Sequence, residues 1–240
     1  MRALRIVVIA FAVGTISATP ALAIPIETQT FEDGTTQGWV ANLLGMGNHP
    51  APPANIPDGG PFGLGDNYLL LTAFGGSGSG SKLSAINPSE WAGDYIATIT
   101  SAITISVNNM GASDLFLRLA FEDPTIGPPS NIAYSSDPVV VPAGSGWISI
   151  LFPIDPEFLS AGLGDVETAL HNTTLIRLYH SEADNFPNPG FPIESITTQL
   201  GVDNISAIQF VPEPATIVLV ATGIAAVAAK RRRRKHDRVN

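Results

Sequence analysis

Two arginines and a few aromatic residues are the side chains of the central region best suited to binding a polar ligand. Arg118 and Arg177 lie in the middle of predicted β-strands, and Tyr179 shares the predicted strand face of Arg177. Trp39 and Trp91 could line a loop end. Aromatic rings stack on the apolar face of a pyranose while polar groups orient its hydroxyls. These residues predict a sugar-binding surface, and ion pairing with neighbouring carboxylates is the alternative for each arginine.

The sequence contains no motif of a known catalytic mechanism. It has no Gly-x-Ser-x-Gly elbow, no His-Glu-x-x-His pair, no phosphate-binding loop and no cysteine. Glycoside hydrolysis needs only two carboxylates flanking the scissile bond, and sequence spacing does not show whether two of them meet. We therefore expect a protein that is not an enzyme and requires no cofactor, with a glycan-active enzyme as the less favoured alternative.

The charge of the chain is distributed unevenly. Residues 24–229 hold all but one of the 21 acidic residues, whereas Lys82, Arg118 and Arg177 are the basic residues of that stretch. Such a surface repels nucleic acid and anionic lipid. It suits an extracellular protein or one that binds divalent cations, and it excludes nucleic acid as a partner.

The first 23 residues have the three parts of a secretory signal peptide. Two arginines lie in the first five residues, residues 6–13 are apolar but too short to span a bilayer, and Ala21-Leu22-Ala23 supplies small residues for cleavage. We expect signal peptidase to remove residues 1–23, so that the mature chain starts at Ile24.

The C-terminal end has the pattern of a short membrane helix with a cytoplasmic stop. Residues 215–229 carry no charge, and residues 230–235 are all basic. As a helix, 15 residues rise about 22 Å against a hydrocarbon core of about 30 Å, so the span is marginal. Basic residues prefer the cytoplasmic side, which places everything before residue 212 outside. The membrane-stop residues are Lys230, Arg231, Arg232, Arg233 and Arg234.

Immediately before this span stands Pro212-Glu213-Pro214. The order of Pro-Glu-Pro, short apolar helix and arginine cluster at residues 211–240 resembles the PEP-CTERM sorting tail of exosortase substrates. The resemblance implies that an exosortase-type membrane enzyme cuts near Pro-Glu-Pro. It also implies transient anchoring in the cytoplasmic membrane with the rest of the chain outside, then transfer to the cell surface or release. A plain tail anchor with a proline linker is the alternative.

The region between the two ends, residues 24–210, has the pattern of an all-β domain. Short β-rich runs alternate with Gly- and Pro-rich turns, and one short helix is expected near residues 166–171. Alternation puts Leu117 and Leu119 on one face of a strand and Arg118 on the other. In a later strand it puts Ile150 and Trp147 on opposite faces. Two such faces pack as an antiparallel β-sandwich. The clearest predicted strands are residues 68–73, 96–107, 115–121, 139–141, 147–152, 175–180 and 206–210.

Short motifs at both ends of this region resemble jelly-roll domains of the carbohydrate-binding-module and laminin-IV-like type. They are Phe31-Glu32-Asp33-Gly34 with Gly38-Trp39 near the start, and Gly201-Val202-Asp203-Asn204-Ile205 near the end. The resemblance implies a structural Ca²⁺ between Glu32 and Asp203, completed by carbonyl and water oxygens. The alternative is that both residues cap turns and face water.

Together these patterns predict an exported jelly-roll-like β-sandwich flanked by a signal peptide and a C-terminal transmembrane helix. The resemblance to PEP-CTERM proteins implies a structural or adhesive role beside exopolysaccharide at the cell surface. A carbohydrate-binding module with one specific glycan ligand is the alternative.

Overall fold

Alternating apolar runs of the sequence fold into two antiparallel β-sheets. The structure, a computed structural model, describes residues 28–42, 49–123, 129–186 and 194–209. The predicted signal peptide (1–23) and the predicted sorting tail (211–240) therefore lie outside the described residues. The strands are β1 (Ala54–Ile56), β2 (Tyr68–Phe74), β3 (Ser84–Asn87), β4 (Thr100–Asn109), β5 (Leu115–Asp123), β6 (Asn131–Ser135), β7 (Val139–Val141), β8 (Trp147–Pro153), β9 (Leu159–Leu163), β10 (Leu175–His180) and β11 (Thr197–Gln209).

The two sheets contain strands that are far apart in the sequence. One has five strands in the order β1-β2-β11-β4-β8, and the other has six, with the order β3-β10-β5-β6-β9 and β7 paired to β5. The last strand, β11, lies in the middle of the five-stranded sheet between β2 and β4. The predicted all-β sandwich is confirmed, and the helix predicted near residues 166–171 is α1, Val166–His171.

The core lies between the sheets and follows from the two-residue period of the strands. Leu117, Leu119 and Phe121 of β5 point inward and meet side chains such as Ile105 and Val202 of the opposite sheet in one buried cluster. The intervening residues of each strand point outward. Each sheet therefore has an outer face, and these two faces carry the candidate functional residues.

Two predicted strand boundaries are wrong. The strand expected from residue 96 begins at Thr100, because the Asp94 carboxylate accepts hydrogen bonds from the N–H groups of Ile96 and Ala97 and forms a turn. Ile99 follows with a φ of +53°, which a strand does not accommodate. The strand expected at residues 206–210 begins at Thr197, with a register shift between Asp203 and Ser206 that breaks its apolar alternation.

Candidate functional site

The outer face of the six-stranded sheet brings three of the predicted ligand-binding residues together. Tyr179 lies directly opposite Arg118 across β10 and β5, and Arg177 lies two residues before Tyr179 on the same face. A second apolar cluster lies on this face and is separate from the main core; its members are Ala120, Ile132, Tyr134, Tyr179 and Phe186. Tyr134 and Phe186 were not recognised in the sequence, because neither lies in a strand with clear alternation.

Arg118 is buried, and each of its three guanidinium nitrogens donates to a backbone carbonyl. Nε donates to Ser181 O at 3.1 Å, Nη1 donates to Ser135 O at 2.7 Å and also to Ser136 O, and Nη2 donates to Glu182 O at 3.3 Å. These carbonyls belong to the turn after β6 and to the chain after β10. Arg118 thus holds residues 181–186, here called the covering segment, against the sheet.

Tyr179 and Arg177 are also engaged by this arrangement. The Tyr179 hydroxyl donates to Asn185 O at 3.0 Å, and burial raises the pKa of Tyr179 above its ordinary value. Arg177 Nε donates to Glu122 Oε1 at 2.7 Å. The guanidinium carbon of Arg177 lies 5.6 Å from the centroid of the Phe186 ring. In this structure the covering segment contacts Arg118, Arg177 and Tyr179, the three residues of this face that the sequence suggested for ligand contact.

Trp39 and Trp91 do not join that group. Both indoles are buried, at 1% and 4% exposure, and both donate from Nε1 to the same acceptor, Gln29 Oε1, at 2.8 Å and 2.7 Å. Gln29 also pairs with Ile205 of β11 through backbone hydrogen bonds in both directions. The two tryptophans therefore hold the first described residues against the core and the last strand.

The predicted calcium residues lie at the junction between the first described residues and the last strand. Asp203 is fully buried at the register shift of β11, and its carboxylate accepts from Asn204 N at 2.7 Å and from Asn204 Nδ2 at 3.0 Å. Glu32 is exposed, and its Oε1 accepts from Asn67 N at 2.9 Å. Burial, followed by the charges of Asp66 and Glu32, raises the pKa of Asp203 to about 7.

This chemistry suits a hard cation in part. Neighbouring carboxylates repel one another, and this repulsion raises the pKa of one of them. Ca²⁺ binds carboxylate oxygens, so such a group of carboxylates can hold it. Yet among the described residues no group of three or more His, Cys, Asp or Glu side chains is arranged to hold a metal ion. Glu32 and Asp203 alone would leave most ligand positions to carbonyl and water oxygens.

The outer face of the five-stranded sheet carries Trp147. This residue alternates with buried Ile150 and Phe152 along β8 and is only partly buried. Its Nε1 donates to Gly59 O at 2.9 Å, and its ring meets Tyr68 edge-on with centroids 5.4 Å apart. The predicted alternation of β8, which separates Trp147 from Ile150, is confirmed.

A hydrogen-bonded loop, residues 58–66, lies beside Trp147. Gly65 N donates to Asp58 Oδ1 at 2.7 Å, and Phe62 N donates to Asp66 Oδ2 at 2.6 Å. The loop exposes 83% of Phe62 and 94% of Leu64 to solvent.

Comparison with known proteins decides the nature of the C-terminal end. Residues 210–234 match the family model of the PEP-CTERM protein-sorting motif. The chain carries a PEP-CTERM sorting signal. It is therefore an exported, membrane-transiting protein, as the sequence predicted. In the described parts of the chain no helix has the length and apolar character needed to cross a membrane. The predicted helix 215–229 and its basic cluster lie outside those parts, as do Pro212, Glu213 and Pro214.

Solved structures similar to this chain include an agarase and carbohydrate-binding modules. An exo-β-agarase is similar with a TM-score of 0.50 at 13% identity, over 78% of this chain and 25% of the agarase chain. The family 11 carbohydrate-binding module from Clostridium thermocellum, solved with a β-1,3-1,4-mixed-linked tetrasaccharide, gives 0.45 at 12% identity over 78% and 97% of the two chains. A cellulose-specific family 28 module gives 0.44 at 17% identity over 75% and 92%. No match was found to the sequence of a curated protein.

Proposed function

We propose that this chain is a cell-surface or extracellular-matrix protein whose β-sandwich contacts exopolysaccharide in a structural or adhesive role. One observation carries the proposal: the sorting motif begins at residue 210, directly after strand β11 ends at Gln209. The sandwich is therefore the cargo that the sorting signal delivers. Its acidic surface suits an exported matrix protein, and its lack of cysteine means that the fold is stabilised without disulfides.

The proposed route uses both ends of the chain. Signal peptidase removes residues 1–23 during export, and the helix 215–229 then holds the protein in the cytoplasmic membrane with its basic cluster inside. An exosortase-type enzyme cuts near Pro212-Glu213-Pro214. Both prolines lack an N–H group and keep the backbone extended, which is the form that a processing enzyme's cleft accepts.

The state of the six-stranded outer face supports a structural role over catalysis or an open binding cleft. The covering segment already uses the hydrogen-bonding groups of Arg118 and Tyr179. A protein that recognises one glycan in a cleft presents such groups to its ligand. A matrix protein needs no such cleft, because many weak contacts on one polymer add up.

A carbohydrate-binding module with one specific glycan ligand is the second candidate, and one feature of the same face favours it. Two charged groups lie beside two aromatic rings there, which is the composition of a sugar-binding site. The charged residues are Arg177 and Glu122, and the rings are those of Tyr179 and Phe186. In this candidate function the covering segment would have to leave the face when the glycan binds.

We also propose a structural Ca²⁺ held by Glu32 and Asp203 with carbonyl and water oxygens. When bound, the ion would neutralise the carboxylates and join the first described residues to the last strand. Support comes from the raised pKa of Asp203 beside two further carboxylates.

The test of the matrix role uses the mature protein recovered from its host and the exopolysaccharide purified from the same host. We expect the protein to sediment with that polysaccharide and to show no strong preference for any one glycan in an array of oligosaccharides. Tight binding to one oligosaccharide would favour the second candidate. A protein that stays in the supernatant and binds no glycan would contradict both.

A further inference from the structure

We infer that the outer face of the five-stranded sheet binds an uncharged polysaccharide chain, with Trp147 as the ring on which a sugar stacks. The inference rests on the proposed contact with exopolysaccharide and specifies the face and the class of polymer. It concerns a different sheet from the one that carries Arg118, Arg177 and Tyr179.

The strands of this face carry polar, uncharged groups on their outward side. The outward side chains of β4, β8 and β11 include the amides and hydroxyls of Thr104, Ser106, Asn108, Ser149 and Gln199, together with the exposed apolar residues Leu151 and Ile208. Among the outward-facing positions of β2, β4, β8 and β11 only Asp203 is charged, and it is fully buried. Amide and hydroxyl groups both donate to and accept from sugar hydroxyls.

The lack of exposed charge on these strands contrasts with the rest of an acidic domain, including Asp58 and Asp66 in the loop beside Trp147. A polycation would bind where carboxylates lie, and a polyanion would be repelled by the surrounding negative surface. An uncharged polymer is neither attracted to the carboxylates elsewhere nor repelled by them, so it is the partner that suits these uncharged strands. Four strands at about 4.8 Å spacing make a face about 14 Å wide, which suits an extended chain better than a single sugar.

The Trp147 ring is held in place before any ligand arrives. Its N–H bonds to Gly59 O, and Tyr68 supports its edge. It also lies over Gly201 of β11, where a Cβ atom would come within 2.8 Å of the indole Cη2. A ring fixed in this way loses little conformational entropy when a sugar stacks on it.

Tryptophan fluorescence gives a direct test, because the chain has three tryptophans and two of them are buried. Acrylamide quenching of the mature protein therefore reports chiefly on Trp147. We expect a soluble uncharged probe, mixed-linked β-glucan, to protect Trp147 from quenching, and the polyanion alginate to give no protection. In affinity electrophoresis, Ser149→Glu should weaken retention by the β-glucan about tenfold or more, since it adds an unpaired charge to the contact.

The matched control is Ser89→Glu, which adds the same charge at an exposed turn after β3 of the other sheet. It should retain the wild-type affinity. If the protein binds the β-glucan or the host polysaccharide but Trp147 stays equally quenchable and Ser149→Glu binds normally, this face is wrong and the proposed function stands. If the protein binds none of these polysaccharides, both this inference and the proposed function fail.

Discussion

The indole N–H of Trp147 donates a 2.9 Å hydrogen bond to the carbonyl oxygen of Gly59. This bond links the first residue of β8 to the loop before β2, across an interval of 88 residues. Because the ring also rests on Gly201, the position of Trp147 depends on a residue of a third strand. The packing of this ring is therefore open to test by substitution at Gly201.

Gly201→Ala should destabilise the protein, although alanine is ordinarily the better residue inside a strand. The new Cβ would lie 2.8 Å from Trp147 Cη2 and 3.3 Å from Met110 Cε, so both side chains must move. Overpacking of this kind costs about 1–3 kcal/mol, measured as a lower free energy of unfolding in urea. Gln199→Ala, exposed two residues earlier, should change it by less than about 0.5 kcal/mol. A Gly201→Ala protein as stable as wild type would contradict the described packing.

Arg118→Met should loosen the covering segment as well as lower stability. The substitution removes the donor to the carbonyls of residues 135, 136, 181 and 182, of which Ser135 and Ser181 are buried. Each charge-assisted bond contributes about 1.5–3 kcal/mol. We expect a loss of about 3 kcal/mol or more and faster cleavage after Glu182 by a Glu-specific protease.

Asp184→Asn is the control for that experiment. Its carboxylate is 3.6 Å from the Arg118 guanidinium and 60% exposed, so its loss should cost less than about 1 kcal/mol. Equal effects of the two substitutions would mean that the ion pair, and not the carbonyl contacts, holds the segment.

His180 should make the protein less stable in acid. Burial lowers the pKa of His180, whose Nδ1 accepts from Phe116 N at 3.0 Å, against the opposing charges of Glu194 and Glu182. Above pH 6.5 the ring is neutral in both states; as pH falls below 6.5 the unfolded chain takes up a proton first, so stability falls. The difference in unfolding free energy between wild type and His180→Asn should therefore shift against wild type between pH 7 and pH 5.

His171 provides a control of opposite sign. Its hydrogen bond to Asp94 raises the pKa of His171, so its stabilising contribution is present at low pH and is lost as pH rises through that raised pKa. The difference between wild type and His171→Asn should shift in favour of wild type as pH falls. Shifts of the same sign for both histidines would contradict the described environments.

Asp203→Asn tests the electrostatics of the strand junction and the proposed calcium together. Because burial and neighbouring carboxylates raise the pKa of Asp203 to about 7, its ionisation destabilises the calcium-free fold as pH rises from about 4 through 7. In chelator at pH 8 the variant should therefore melt at a higher temperature than wild type. Added Ca²⁺ should raise the melting temperature of wild type and not that of the variant.

Asp137→Asn, an exposed carboxylate between β6 and β7, is the matched control and should respond to Ca²⁺ as wild type does. If Ca²⁺ leaves wild type unchanged while the variant is still more stable in chelator, the junction is strained by charge and holds no calcium.

Local patterns predicted the strands that have clear alternation and the helix that has a cap. The apolar residues at alternate positions of 115–121 belong to β5, and α1 begins where the Asp165 side chain accepts from Thr168 N at 2.8 Å. Strands β1, β3, β6 and β9 were missed because runs of three to five residues carry too little periodicity.

The surroundings of the candidate site could not be predicted, because they depend on contacts between distant residues. Arg118 was recognised as unusual in an acidic domain, but its partners are carbonyls of residues 135–136 and 181–182, which no side-chain pattern reveals. The shared acceptor of Trp39 and Trp91 is equally hidden, since Gln29 lies 10 and 62 residues away. The sorting tail was predictable because its three parts are contiguous.

The central claim is that this sandwich is delivered to the cell surface by processing at its C-terminal motif. The most direct test is mass spectrometry of the protein recovered from its host, beside a variant with Pro212, Glu213 and Pro214 replaced by alanine. We predict a wild-type product that starts at Ile24 and ends near Glu213, and a variant that keeps its full C-terminal length and stays in membranes. If both proteins keep their arginine tails and fractionate alike, the tail is a plain anchor and the account is wrong.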